Sequence, residues 1–100
     1  MEECVMEVGE TKLKYFIKGS NPRLLIHSGT HGDEWGVIEP VKLAVKKYED
    51  QLPDFVFVPE VSPSAVMNRT RVNSGSVDLN RSFTEGTNES EVLANMKIIA

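Results

Sequence analysis

Leu24-Leu25-Ile26-His27-Ser28-Gly29-Thr30-His31-Gly32-Asp33-Glu34 passes directly from an apolar run into a polar loop that carries two glycines. Leu24-Leu25-Ile26 is short and continuously apolar, the pattern of a strand covered on both faces, and the loop that follows ends it. Further on, Ile38, Val41, Val45, Tyr48 and Leu52 recur every three or four residues. That spacing predicts one apolar stripe on a helix from Val37 to Leu52, with Lys42, Lys46, Lys47 and Glu49 on its other side. Pro40 is tolerated in a first turn, whereas a helix that began nearer Glu34 would kink there; the spacing allows both. Pro53 stops the helix, and Phe55-Val56-Phe57-Val58 reads as a second buried strand. Strand, helix and strand in this order predict a right-handed crossover and a parallel pair at the heart of an α/β sheet.

Working outward, Leu13, Tyr15 and Ile17 alternate with Lys12 and Lys14. With Gly9-Glu10 as the turn, residues 4–17 read as two strands of a hairpin at the edge of that sheet. Residues 59–88 show no sustained periodicity and are rich in Ser, Asn, Arg and Gly, which predicts a long functional loop. Asn88 and Glu91 have the spacing of a capping box, opening a helix whose apolar stripe is Val92, Met96 and Ile99. The chain stops on Ile98-Ile99-Ala100 in mid-stripe, so the expectation is that residues 1–100 are the N-terminal portion of one longer catalytic domain. The stripe would then be exposed and favour self-association through an incomplete core.

Composition narrows the classes of function. A formal net charge of -4 argues against a nucleic-acid or anionic-membrane binder, which gathers basic charge to release counterions. A hydrophobic share of 40% with 26% charged residues is that of a folded soluble domain, and no run approaches the roughly 20 apolar residues of a membrane span. The single cysteine, Cys4, cannot form an internal disulfide, and Met1-Glu2-Glu3 lacks the basic start of a signal peptide. Together these predict a cytoplasmic protein.

Two constellations can carry chemistry. In parallel α/β sheets ligands bind beyond the carboxyl ends of strands, where Gly29 to Glu34 falls. His31 and Glu34 lie three apart, so a turn entering the helix would put an imidazole and a carboxylate on one side, able to meet a single Zn²⁺. A bare His-x-x-Glu is also what two surface loop residues give, but Gly29 and Gly32 let the backbone turn sharply beside a metal, and Asp33 offers a supporting carboxylate. His27 is a rival ligand, although a strand residue four positions earlier need not face the same side. The second constellation is Asn68-Arg69-Thr70-Arg71 with Asp78-Leu79-Asn80-Arg81. Three guanidinium forks in one stretch of an acidic chain suit a carboxylate-bearing ligand, unless they pair with surface acids and contribute little.

Gly29-Thr30-His31-Gly32-Asp33-Glu34-Trp35, with Thr70-Arg71 and Asp78-Leu79-Asn80-Arg81, resembles the zinc carboxypeptidase superfamily, and within it the succinylglutamate desuccinylase and aspartoacylase branch. The resemblance runs over about residues 24–83 and implies the N-terminal part of a mixed sheet flanked by helices. It implies His31 and Glu34 as two zinc ligands. It makes Arg71 the catalytic arginine that polarises the scissile carbonyl and also binds substrate, and it makes Asn80 and Arg81 the pair that holds the substrate carboxylate. Two family elements are absent, a third ligand histidine and a general-base glutamate; no histidine follows His31. The implied activity is zinc-dependent hydrolysis of an N-acyl amino acid or similar small carboxylate-bearing amide, with the 100-residue chain alone inactive. The alternatives are a zinc carboxypeptidase acting on peptides and a non-catalytic α/β module that binds acidic ligands.

Overall fold

The computed structural model describes residues 1–71 and 90–99. The hairpin forms as expected from β1 (Glu2–Val8) and β2 (Thr11–Lys18), followed by β3 (Leu24–His27), a 3-10 helix (Gly32–Val37), α1 (Ile38–Tyr48), a 3-10 turn (Glu49–Gln51), β4 (Phe55–Val58), α2 (Pro63–Asn68) and α3 (Ser90–Ile99). The strands lie in the order β1-β2-β4-β3. β3 and β4 are parallel, with Ile26 opposite Phe57, while β2 runs antiparallel to both neighbours, which makes the sheet mixed. No helix of the described residues is long and apolar enough to cross a membrane.

Alternation along the strands builds two cores. Phe55 and Phe57 point to one face with Phe16, Leu24 and Ile26, and Val41, Val45 and Leu52 cover them. Phe16 and Phe57 are cross-strand partners whose rings stack at 6.0 Å. On the other face Leu13, Val58 and Val61 pack against Val92, Ala94 and Ile98 of α3. β4 is therefore covered on both sides, as expected. β3 is not: among the described residues it is the outermost strand of the sheet, and Leu25 is 42% exposed.

The helices settle one open alternative and depart from the apolar pattern in two details. Pro40 falls in the first turn of α1, so no kink is needed. The predicted helix ends early, at Tyr48, which is exposed rather than part of the stripe; Lys18 Nζ donates to the carbonyls of Glu49 and Leu52 where it unwinds. In α3 the buried face is Glu91, Val92, Ala94, Asn95 and Ile98, while Met96 points outward. The reason is polar. Asn95 Nδ2 donates to the carbonyls of Val61 (2.9 Å) and Glu91 (2.8 Å), and the Glu91 carboxylate accepts from Ser62 Oγ (2.6 Å) and Ser64 N (3.0 Å). Satisfying these buried groups sets the rotation of the helix. Val92 is wholly buried, so the expected exposed stripe does not include it; Asn88 and the Ile99 side chain lie outside the described residues.

α2 was not foreseen within the expected long loop, although Ser62-Pro63 is a legible helix start. Before it, the pairing of the parallel strands continues past their ends: Ser28 N donates to Val58 O, Val61 N to Ser28 O and Ser62 N to Gly29 O. The two outgoing loops are thus stitched together and α2 lands on the start of the 3-10 helix. A Cβ on Gly32 would stand 1.8 Å from the Ala65 carbonyl oxygen. Gly32 is required by this backbone contact and not by the sharp turn expected of it. Gly29, at φ +71°, does make the turn.

Two outcomes follow for stability, both read from denaturant unfolding. Ile98→Ala should cost about 2–5 kcal/mol while Met96→Ala stays within about 0.5 kcal/mol; the reverse order would restore the apolar-stripe register of α3. Gly32→Ala should cost more than the roughly 1–3 kcal/mol of ordinary overpacking, because the clash is with backbone. Gly36→Ala, where a Cβ meets nothing within 4 Å, is the matched control.

Candidate active site

His31 and Glu34 sit beyond the carboxyl end of β3, where the sheet topology places ligands. His31 is the N-cap of the 3-10 helix, with extended backbone (φ -107°, ψ 122°), and is half-buried. Because a 3-10 helix has three residues per turn, Glu34 follows one full turn after His31 on the same side of the axis. The expected turn is therefore present; the Glu34 side chain lies outside the described atoms. Asp33 is exposed. His27 ends β3 on the face that carries Leu25, and burial lowers its pKa, which favours the neutral ring.

α2 brings the arginine segment to this turn. Its C-cap is Arg69, in the left-handed conformation (φ 54°, ψ 42°), with its N–H turned back on the Ala65 and Val66 carbonyls. Thr70 N donates to the Ala65 oxygen at 3.0 Å, the same carbonyl that lies against Gly32. The Arg69 guanidinium carbon stands 4.1 Å above the centre of the Trp35 ring, one residue past Glu34. Backbone contact and cation–π stack together set the Arg69-Thr70-Arg71 segment beside the His31–Glu34 turn, with Arg71 exposed. Of the predicted substrate-binding residues, Arg71 is the last residue before the undescribed stretch and is exposed, while Asn80 and Arg81, with Asp78 of the same motif, lie outside the described residues.

Sequence reasoning missed the stacked pair. Trp35 and Arg69 each stand beside a named motif, but nothing in their spacing shows that they meet. Among the described residues no group of three or more His, Cys, Asp or Glu side chains collects around a point. His31 and Glu34 thus offer one nitrogen and one carboxylate of the right chemical kind for zinc, and fewer protein ligands than the three of a catalytic site.

Residues 20–97 match the model of the succinylglutamate desuccinylase/aspartoacylase catalytic domain. The chain is 38% identical over 64 residues to murein peptide amidase A of Vibrio campbellii, spanning 64% of this chain and 26% of that protein. Among solved structures it is similar to an aspartoacylase family protein of Mesorhizobium loti, with a TM-score of 0.68 and 30% identity over 93% of this chain and 33% of that one. It also resembles the fold of a succinylglutamate desuccinylase/aspartoacylase of Rhodobacter sphaeroides, with a TM-score of 0.61 and 24% identity over 86% of this chain and 28% of that one. The chain spans between a quarter and a third of the length of these relatives. A match over most of its residues, across both motif segments, shows that the chain belongs to the succinylglutamate desuccinylase/aspartoacylase catalytic domain family.

Proposed function

We propose that this chain supplies the metal-binding turn and the oxyanion arginine of a zinc-dependent hydrolase that cleaves the amide bond of a small carboxylate-bearing substrate, an N-acyl amino acid or a short peptide. The observation that supports it most is the docking of α2 on Gly32, which sets the Arg71 segment beside the turn of His31 and Glu34. The name of the Vibrio relative adds an amide within a peptide as a second kind of substrate, which keeps peptide cleavage within the same reading.

In this reading His31 and Glu34 hold the metal, and the donor set fits zinc in kind: neutral imidazole and carboxylate at one turn of spacing. Bound there, zinc would polarise the substrate carbonyl and lower the pKa of water. Arg71 presents a permanent cation to the charge that develops on the carbonyl oxygen, and it can hold that oxygen through two N–H groups. Asn80 and Arg81 would take the substrate carboxylate, Arg81 by a bidentate fork that a neutral amide cannot accept. A third ligand and a proton-transferring carboxylate must come from residues other than those described.

The test uses a complete catalytic domain of the family's length that carries these residues. His31→Ala and Glu34→Ala should each remove most bound zinc, read by elemental analysis. Arg71→Ala should retain zinc and lower kcat by about 10²- to 10³-fold, the loss expected for one oxyanion donor. The 100-residue chain alone, zinc-loaded or metal-free, should release no amine from N-acyl amino acids or peptides. Full zinc in both ligand variants would defeat the metal assignment, and zinc-dependent turnover by the short chain would show that the machinery needs fewer parts.

A further inference from the structure

Arg69 occupies a position that usually belongs to glycine. At the C-cap of a helix the left-handed conformation costs any residue with a Cβ, and glycine adopts it freely. Arg69 holds it nevertheless, with its N–H on the carbonyls of Ala65 and Val66. The backbone does not explain the choice of side chain, since a glycine would keep the same turn without strain. What arginine adds is the guanidinium stacked 4.1 Å over Trp35. Trp35 is 46% exposed, so the pair faces solvent and does not fill a core. One partner follows Glu34 directly, and the other is separated from Arg71 by Thr70 alone. Strain kept at a residue whose side chain bridges two functional segments is the kind of outlier that points to a role.

We infer that Arg69 is a positioning residue, and that its stack on Trp35 is the latch that holds Arg71 in register with the metal-binding turn. This rests on the reading of His31, Glu34 and Arg71 proposed above. The latch joins α2 to the 3-10 helix on the solvent side, opposite in kind to the Gly32–Ala65 contact, which is backbone against backbone. With both in place the arginine segment has one arrangement relative to the turn. Without the latch α2 stays docked, but the short segment beyond Ala65 gains freedom, and Arg71 meets the developing charge less often.

The latch is testable because a structural residue and a positioning residue predict different things for the same variant. In the complete catalytic domain, Arg69→Gly should unfold at the same temperature or higher, since the left-handed strain is removed, and should keep its zinc. Its kcat should fall about three- to fivefold at unchanged KM, the size of shift an exposed cation–π pair supports. Trp35→Leu should give the same fall, and the double variant no further one, because both remove one interaction. Arg69→Lys should fall less, and Trp35→Phe should keep most of the rate, which separates loss of the stack from misfolding. Trp35 is the sole tryptophan of residues 1–100, so the emission of the complete domain, read as the difference from Trp35→Phe to remove any other tryptophan, reports whether the guanidinium has left the ring. Wild-type kcat in Arg69→Gly with the emission changed would overturn the inference. So would additive losses in the double variant, or a loss of rate that follows loss of zinc and of thermal stability. If Arg71→Ala itself left kcat intact, the proposed function and this inference would fall together; an impaired Arg71→Ala beside a normal Arg69→Gly would remove the latch alone.

Discussion

The carbonyl of Ala65 rests against the backbone of Gly32, at a separation that leaves no room for a Cβ. Much else in the molecule is arranged around that contact. β3 and β4 are adjacent and parallel, so the loops that leave them emerge side by side at one end of the sheet. Hydrogen bonds between Ser28, Gly29, Val61 and Ser62 carry the pairing past the strand ends and commit the second loop to run over the first. α2 then has one place to lie. Its Ala65 carbonyl also accepts from Thr70, so the helix end that carries the arginines is defined by the same group that touches the glycine.

The helix on the opposite face of the sheet supports this arrangement. Glu91 of α3 reaches Ser62 and the backbone N–H of Ser64, and Asn95 holds the Val61 carbonyl. A carboxylate bonded to two donors while almost wholly buried is costly to displace, because hydrogen bonds to a charged group are worth roughly 1.5–3 kcal/mol each and an orphaned charge costs more. The start of α2 is therefore fastened to α3 while its middle rests on Gly32 and its end stacks on Trp35. A helix too short to be stable by itself is held at three points.

The elements whose burial is purely apolar were legible in the sequence. The alternation of β2, the short runs of β3 and β4 and the stripe of α1 led to the parallel pair, and the mixed sheet implied by the family resemblance is the one found. What was lost had a polar cause. α3 sits one residue off its expected stripe because Glu91 and Asn95 go inward to meet backbone groups, which counting apolar residues cannot register. The end of α1 was misplaced because Lys18 Nζ takes the carbonyls of Glu49 and Leu52, a polar contact that the apolar spacing does not contain. At the site, the spacing of His31 and Glu34 could be read directly, and the 3-10 helix sets their backbones one turn apart. Gly32 was singled out for the wrong reason: the need arises from α2, an element the loop composition concealed. The Arg69–Trp35 stack joins segments distant in the chain and exists only once they are folded together.

The most direct measurement is the position of the metal itself. A crystal of the zinc-loaded catalytic domain, with the ion located by anomalous scattering at the zinc edge, should show it about 2.0–2.2 Å from a His31 ring nitrogen and a Glu34 oxygen, with the Arg71 guanidinium across the open side of the site. Zinc bound at His27, or at His31 with Glu34 turned away and Arg71 remote, would contradict the account, because the docking of α2 on Gly32 would then serve the fold and not the chemistry.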